Sequence, residues 1–367
     1  RERNAYIWLK DTYGGETNIA DWARPYESIF YANNVLHNYN KTARTSQNFR
    51  RLDYVKGWAY FIRAYYSYAL VTTFCNSYEK ATASKDLGIP LKLSASIDEI
   101  APRATLEQSY TQIFEDLDSA KILIAPESAT PTQKKNRPSL AGAFALEARI
   151  LLSMREYERS ERAADSCLNL YSKLIDFNGI NPVNTYPFSN TNEETIFSTG
   201  VVTSSYPSMT SIYNNSTTIN KDLISKYVEG DLRLQFLIKP QNGGHIMNGN
   251  FMGESLVPYS GLATDEIILI KSECLARRGD IVGAMTWVNR LLKNRIASSK
   301  FSPLTAQSPT EALNLVLLER RKELVKRGIR WTDLKRLNKE GANITLTRIL
   351  NGVTYSLPPN DARYVFP

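Results

Sequence analysis

The sequence predicts a mostly α-helical protein, in which tetratricopeptide-like helical hairpins form a scaffold that carries a large irregular insertion of loops and short strands. Three observations support this fold class. Apolar residues recur at helical spacing in several long blocks. Two later blocks have similar lengths and similar small residues, which is typical of helical repeats. The chain between them is rich in Ser, Thr and Asn, a composition typical of loops and short strands.

Two long helices are predicted in the first part of the chain, over 19–39 and 46–74. The second is rich in aromatic residues at helical spacing, which indicates a buried helix. In the first helix, apolar and amide side chains share one side. These are Trp22, Tyr26, Ile29, Phe30, Asn33 and Leu36.

An extended segment and a third helix follow, over 88–91 and 105–123. Thr105 is predicted to be the N-cap of this helix, because a threonine hydroxyl can accept a hydrogen bond from the first turn. Glu107 and Gln108 lie in that turn, as is typical of a helix start.

Two helical hairpins of roughly 31–33 residues are predicted over 139–171 and 265–295. In the first, Ala141, Ala145 and Ala148 form a stripe where a second helix can approach closely. The match to the tetratricopeptide consensus is loose, so the residues by themselves predict a helical hairpin repeat and nothing more specific.

The predicted organisation is a single domain over residues 1–367. Its helical scaffold covers 19–171 and 263–340, its variable insertion covers 172–262, and its C-terminal tail covers 341–367. A long irregular segment inside a compact domain is typically functional or disordered. The single aromatic residues spaced through this insertion favour an ordered, functional one.

Composition argues against several function classes. The net charge is +8, but the 45 basic residues are interleaved with 37 acidic ones, so nucleic acid is not a predicted partner. The two histidines, His37 and His245, occur in unrelated contexts, so neither a His-based metal site nor a Ser-His-Asp triad in one cleft is predicted. No nucleotide-binding or hydrolase motif occurs. The sequence therefore predicts no enzyme activity, no catalytic residue, no metal and no cofactor.

Aromatic residues are the best candidates for ligand contacts, because they make up 11% of the chain. A tyrosine or tryptophan ring offers a flat apolar face with a polar edge, which suits stacking on a sugar ring or packing on a peptide side chain. Those in helices have core spacing, so the candidates are in predicted loops. They are Tyr6, Trp8, Tyr13, Tyr206, Tyr213 and Tyr259. Surface placement without a function is the alternative for each.

The most specific segment of the sequence covers 319–337. A charged helix is predicted to end at Gly328, a residue suited to a left-handed cap, and a short helix with Trp331 follows. The string from Arg320 to Arg336 resembles the pattern RR-x-EL-x-x-x-G-x-RW-x-DL-x-R of the SusD/RagB family, the outer-membrane nutrient-binding lipoproteins of the Bacteroidetes.

Further segments resemble landmarks of this family, in the same order along nearly the whole chain. Trp22 to Leu36 is similar to its first helix, and Arg63-Ala64-Tyr65-Tyr66 to its second. Gly88-Ile89-Pro90 is similar to its G-x-P segment, and Glu194-x-Ile196-Phe197 to the strand that opens its variable region.

The resemblance implies a lipid-anchored receptor on the extracellular face of the outer membrane, with the anchor on an N-terminal segment that this chain does not include. It further implies capture of an oligosaccharide, without chemistry, and delivery to a SusC-like TonB-dependent receptor. A peptide-binding member of the same fold is one alternative. A tetratricopeptide-type protein–protein scaffold is another. Arg320, Arg330, Trp331 and Asp333 are expected to brace the last helices.

Overall fold

Helices dominate the structure, a computed structural model that describes residues 2–184, 186–200, 218–241, 243–249, 251–253 and 257–367. The predicted mostly α-helical fold is confirmed. The helices of the described residues are α1 Glu2–Tyr6, α2 Ala20–Tyr39, α3 Phe49–Phe74, α4 Leu106–Ile124, α5 Leu140–Ser153, α6 Tyr157–Leu170, α7 Lys221–Ile224, α8 Arg233–Phe236, α9 Thr264–Arg277, α10 Ile281–Leu292, α11 Pro309–Glu323 and α12 Arg330–Lys339.

Strands are short, and those described form two-stranded antiparallel pairs. The pairs are β1 Leu87–Pro90 with β2 Arg103–Thr105, β3 Thr195–Phe197 with β6 Leu262–Ala263, β4 Ile238–Gln241 with β5 Gly244–Met247, and β7 Leu346–Leu350 with β8 Val353–Leu357. Two of these pairs lie wholly inside the predicted insertion or at its end, where short strands were expected.

The chain forms two compact units. Unit 1 contains Arg1–Ser128, Ser153–Arg155 and Trp331–Pro367, and unit 2 contains Ala129–Leu152 and Glu156–Arg330. The predicted division into one domain with a scaffold, an insertion and a tail stays a prediction.

In unit 1, α2, α3 and α4 pack side by side. A β-carbon on Gly57 of α3 would lie 2.8 Å from the Cβ of Leu123, so glycine permits the close approach of α3 to α4. Thr105 caps α4 as predicted, because its hydroxyl accepts a hydrogen bond from the Gln108 backbone amide while the Gln108 side chain accepts one from the Thr105 amide.

Trp331, from the motif over 319–337, holds the C-terminal segment within unit 1. The Trp331 indole donates a hydrogen bond to the Tyr364 carbonyl oxygen (3.0 Å), and the two rings lie 4.8 Å apart. Asp333 accepts a hydrogen bond from Arg336 one turn later. Trp331 therefore ties α12 to the C-terminal tail, whereas Asp333 pairs within α12. That these residues, with Arg320 and Arg330, tie the last helices together stays a prediction.

Unit 2 contains the paired helices of both hairpins, except for the turn Ser153–Arg155 of the first. In the first, the Ser160 hydroxyl of α6 donates to the Ala148 carbonyl of α5 (2.8 Å). In the second, Gly279 adopts φ +90° at the turn, and the Asp280 side chain caps α10 by accepting from the Gly283 amide (2.8 Å). Helix α9 packs against α6, α10 and α11, and residues of all its faces are buried.

Charged side chains form a buried network in unit 2. Its acids are Glu194, Asp231, Asp265, Glu266, Glu319 and Glu323, and its cations are Arg149, Arg233, Arg295, Arg320, Lys322 and Arg327. The network contains six carboxyl groups and six basic groups, and such mutual pairing is the condition under which charges tolerate removal from water.

Two arginines at the centre of the network connect the insertion to the helices. Arg233 donates to Asp231 (2.7 Å), to Glu319 and to Glu323 (both 2.9 Å). Arg295 donates to Glu194 (2.5 Å) and Glu323 (2.8 Å). Glu194, Asp231 and Arg233 belong to the predicted insertion, so its fixed position on α11 depends on buried ion pairs.

Replacement of Arg295 by methionine tests this dependence. It leaves Glu194 and Glu323 without their shared partner, and we expect the free energy of unfolding to fall by about 3–5 kcal/mol in urea denaturation. The control is Arg278→Met, which removes a guanidinium that is 55% exposed and lies 3.1 Å from Glu161. That change should cost less than about 1 kcal/mol. Equal losses in both variants would contradict a structural role for the network.

Candidate ligand-binding groove

An open groove of about 580 Å³ lies in unit 1, between α2 and the loop 91–102 that connects β1 to β2. Its volume is within the range of small-molecule sites in proteins. One side of the groove is formed by residues of α2, and the other is formed by the loop.

Three aromatic side chains of α2 form the floor of the groove. Trp22, Tyr26 and Phe30 are each half-buried and follow one another at four-residue spacing. The eight residues from Trp22 to Phe30 correspond to about 12 Å along a helix, so the three rings form an elongated aromatic surface. The Trp22 and Tyr26 ring centroids are 5.0 Å apart. Rings that are part exposed and held by neighbours offer faces for stacking at a low cost in side-chain entropy.

Side chains of α2 hold the loop wall in place. The Tyr26 hydroxyl donates to the Pro90 carbonyl oxygen (2.9 Å), and burial raises the pKa of Tyr26 well above its usual value. The Asn33 amide donates to the carbonyl oxygens of Lys92 (2.9 Å) and Ser94 (3.0 Å). The loop backbone is therefore fixed by α2 along the groove.

A buried ion pair orients Asn33. Arg63 of α3 donates to the Asn33 side-chain oxygen (2.9 Å), so the Asn33 amide nitrogen points at the loop. The same guanidinium binds both carboxylate oxygens of Asp116 (2.8 and 2.6 Å). Burial raises the pKa of Asp116, and Arg63 opposes this rise. The groove thus has a rigid support in the core of unit 1.

Polar and apolar groups alternate on the rim. Glu27, which pairs with Arg24 at 2.7 Å, and Lys92 line the groove, and Glu99 accepts from the Ser94 hydroxyl (2.5 Å). Other lining residues of the loop are apolar and strongly exposed: Ile97 is 80% and Ile100 is 94% exposed. Aromatic faces with hydrogen-bonding groups beside them suit a ligand that carries both C–H faces and hydroxyls.

The predicted N-terminal site residues lie elsewhere in unit 1. Tyr6 is 37% exposed, and Arg348 lies 4.6 Å from its ring centroid. Trp8 is only 7% exposed, because it packs with Leu334 and lies under the same guanidinium at 4.4 Å. Tyr13 is 2% exposed, and its hydroxyl donates to Asp21 (3.1 Å).

Tyr259 is a core residue of unit 2. It is 2% exposed, and its hydroxyl donates to the Leu262 carbonyl oxygen (2.6 Å), with the Phe197 carbonyl oxygen also near at 3.1 Å. Tyr206 and Tyr213 lie outside the described residues. The buried rings of Trp8, Tyr13 and Tyr259 offer no free face in this structure, which corrects the expectation that they contact ligand. A role for Tyr6 stays a prediction.

The sequence placed the groove aromatics in the buried stripe of the first helix. The structure buries Ile29, Ala32 and Asn33 of α2 and leaves Trp22 and Tyr26 half-exposed at the side of that stripe. The sequence did contain a signal for this exposure. Residues spaced strictly four apart move gradually around a helix, so some of them leave the narrow face that packs on the core. The spacing does not show which neighbouring segment will cover those side chains.

One acidic cluster has the residue types of a metal site. Oxygens of Glu194, Asp265 and Glu323 lie within 4.8 Å of one another in the buried network of unit 2. Arg295 and Arg327 already supply positive charge to these carboxylates, at 2.5–2.8 Å. Burial raises the pKa of Glu194 to about 8. Burial also acts to raise the pKa of Glu323, but Arg295 and Arg233 together outweigh it and lower that pKa to about 2. A metal ion would compete with these guanidinium groups, so we assign none.

Family models match both ends of the chain. A model described as starch-binding and associating with the outer membrane matches residues 3–152, and the SusD family model matches residues 264–364. The chain belongs to the SusD family. The resemblance inferred from the C-terminal motif is thereby confirmed. No curated protein matches the chain significantly. Among the described residues, no helix is long and apolar enough to cross a membrane.

Solved structures of SusD-like proteins share the fold. A Bacteroides vulgatus protein named for sugar binding has a TM-score of 0.79 and 22% identity, over 100% of this chain and 85% of its own. A SusD-like carbohydrate-binding protein from the same species has a TM-score of 0.72 and 19% identity, over 100% and 83%. A laminarin-binding SusD-like protein has a TM-score of 0.63 and 17% identity, over 88% and 78%.

Replacement of Asn33 by alanine tests the support of the groove in this SusD-family protein. The change removes two hydrogen bonds to the loop and leaves Arg63 without one acceptor, so we expect a loss of about 2 kcal/mol in the free energy of unfolding. The adjacent Asn34→Ala is the control, because the Asn34 amide donates only within α2, to Phe30 (2.8 Å). It should cost clearly less. A loss in Asn33→Ala no larger than in Asn34→Ala would show that Asn33 does not hold the loop.

Proposed function

We propose that this protein captures oligosaccharides in the groove of unit 1 and does not transform them. The observation that carries the proposal is the aromatic floor: three half-exposed rings in a row, beside carboxylate, hydroxyl and ammonium groups. Sugar rings present C–H faces to aromatic rings and hydroxyls to polar side chains, so both parts of the groove find a partner on the same ligand.

The relatives support a glycan as the ligand. Two structures with this fold belong to a carbohydrate-binding and a laminarin-binding protein. Because their sequence identity to this chain is below 25%, they support the ligand class and leave the particular glycan open. A peptide is the alternative ligand, and the exposed Ile97 and Ile100 on the rim are the feature that would favour it.

The cellular role that we propose is delivery. A protein of this family would be held by a lipid anchor on the outer face of the outer membrane and would present its ligand to a SusC-like TonB-dependent receptor. The description of the N-terminal family model, which includes association with the outer membrane, supports the location. Binding without chemistry is sufficient for this role.

Replacement of Phe30 by alanine is the direct test of the groove. Removal of one of three stacking rings should weaken glycan binding at least about tenfold, or about 1.4 kcal/mol, in calorimetry with a panel of neutral glucans, laminarin included. The matched control is Tyr31→Ala on the same helix, because the Tyr31 ring is 62% exposed and does not line the groove.

Two results would contradict the proposal. Equal affinities of wild type and Phe30→Ala, with both proteins folded, would remove the groove as the site. Binding of oligopeptides but of no polysaccharide in the panel would replace the glycan by a peptide.

Co-purification tests the proposed receptor. When the lipid-anchored protein is expressed together with a SusC-like receptor from the same genome, affinity purification of one should recover the other from detergent-solubilised outer membranes. The Phe30→Ala variant should still recover the receptor, because the groove binds ligand and not the partner. Absence of any co-purifying receptor would leave glycan binding intact and contradict delivery.

A further inference from the structure

A cluster of positive charge lies in unit 1 where α2 turns into α3. It is formed by five cations within sixteen residues, Lys41, Arg44, Arg50, Arg51 and Lys56, which we call the basic turn. Asp53 is the only acid in this stretch, so its net charge is +4, half of the +8 of the whole chain. The stretch 320–335 has a higher net charge, +5, but none of its cations is classed as exposed, whereas most cations of the basic turn are.

Only one cation of the basic turn forms an ion pair within the described part of the chain. Arg44 pairs with Asp53 (2.5 Å), and Lys56 lies over the Tyr39 ring at 4.4 Å. Lys41, Arg50 and Arg51 are exposed and form no ion pair within the described part of the chain. Like charges that crowd together without partners raise the local positive potential, which attracts anions.

An exposed aromatic ring lies between cations of the basic turn. Phe49, the first residue of α3, is 37% exposed. The guanidinium carbons of Arg44 and Arg50 lie 5.5 Å and 5.8 Å from its ring centroid. Guanidinium groups bind phosphate oxygens in a bidentate way, and aromatic rings favour the boundary between headgroups and acyl chains. The surface thus joins the two chemistries that a phospholipid layer offers side by side.

We infer that the basic turn binds the phosphate groups of an anionic lipid surface, with Phe49 entering the headgroup region. The inference does not rest on the groove or on glycan binding. Charge complementarity selects an anionic layer, and the exposed ring between two arginines favours a lipid surface over a soluble anion, which has no apolar part. Such binding would orient the protein on a membrane in addition to any covalent anchor.

Co-sedimentation with vesicles tests the inference on the chain without a lipid anchor. The protein should bind vesicles of phosphatidylcholine with added phosphatidylglycerol, bind pure phosphatidylcholine weakly, and lose binding as the salt concentration rises. The double variant Arg50→Gln/Arg51→Gln should lower the partition coefficient by roughly 30-fold, because each charge near an anionic surface contributes about a factor of five. Phe49→Ser should lower it further when combined with that double variant.

The matched control is Lys80→Gln/Lys85→Gln, which removes the same charge from two exposed lysines of unit 1 outside the basic turn. It should retain most of the binding. Three outcomes would overturn the inference: no preference for anionic vesicles, an equal loss in the control pair, or displacement by inorganic phosphate well beyond that by chloride at equal ionic strength. The last outcome would identify a free-phosphate site instead of a lipid surface.

Discussion

Unit 2 is organised around charges that have no access to water. Arg233 and Arg295 are fully buried, and each is bound by carboxylates from separate parts of the chain. A buried charge is tolerated only where partners and hydrogen bonds replace water. The network therefore requires Glu194 and Asp231 of the insertion to meet Glu323 of α11 in one arrangement, since any other register would leave a charge unpaired. Such a constraint gives an irregular insertion a defined position, which apolar contacts, being non-directional, do not provide by themselves.

The same chemistry supports the groove of unit 1. Arg63 and Asp116 are buried between helices, and through Asn33 they fix the backbone of a loop that is itself exposed. A binding surface gains from this arrangement, because a loop held before ligand arrives loses less entropy on binding. Buried polar groups make the support of the loop rigid, and the half-buried aromatic rings and the rim form the proposed ligand-contact surface. The proposed ligand contacts and the rigid support thus reside in different side chains of unit 1.

The sequence was a good guide to regular elements and a poor one to the site. Thr105 caps α4 as predicted, because a cap is decided by local chemistry. Gly328 adopts a left-handed φ of +76°, but the predicted helix end at this residue is wrong, because α11 ends at Glu323 with Leu324 as its C-cap. The motif around Trp331 identified the family, and Trp331 itself holds the C-terminal tail. The motif did not reveal that three of its charged residues are buried, because by pattern they are ordinary charged positions of a helix. These residues are Glu319, Lys322 and Glu323. Nothing in the spacing of charges within one helix indicates that a distant arginine covers them.

The aromatic residues also show what local sequence patterns can predict and what depends on tertiary packing. From the residues alone, Trp8, Tyr13 and Tyr259 are loop aromatics and Tyr26 belongs to a helix; the structure buries the first three and half-exposes the fourth. The sequence by itself determined the helices, their caps, the hairpin turns and the family, because these depend on periodicity and on residues near in the chain. Only the tertiary structure decided which rings face solvent and which charges are buried, because both depend on what distant segments pack against each side chain.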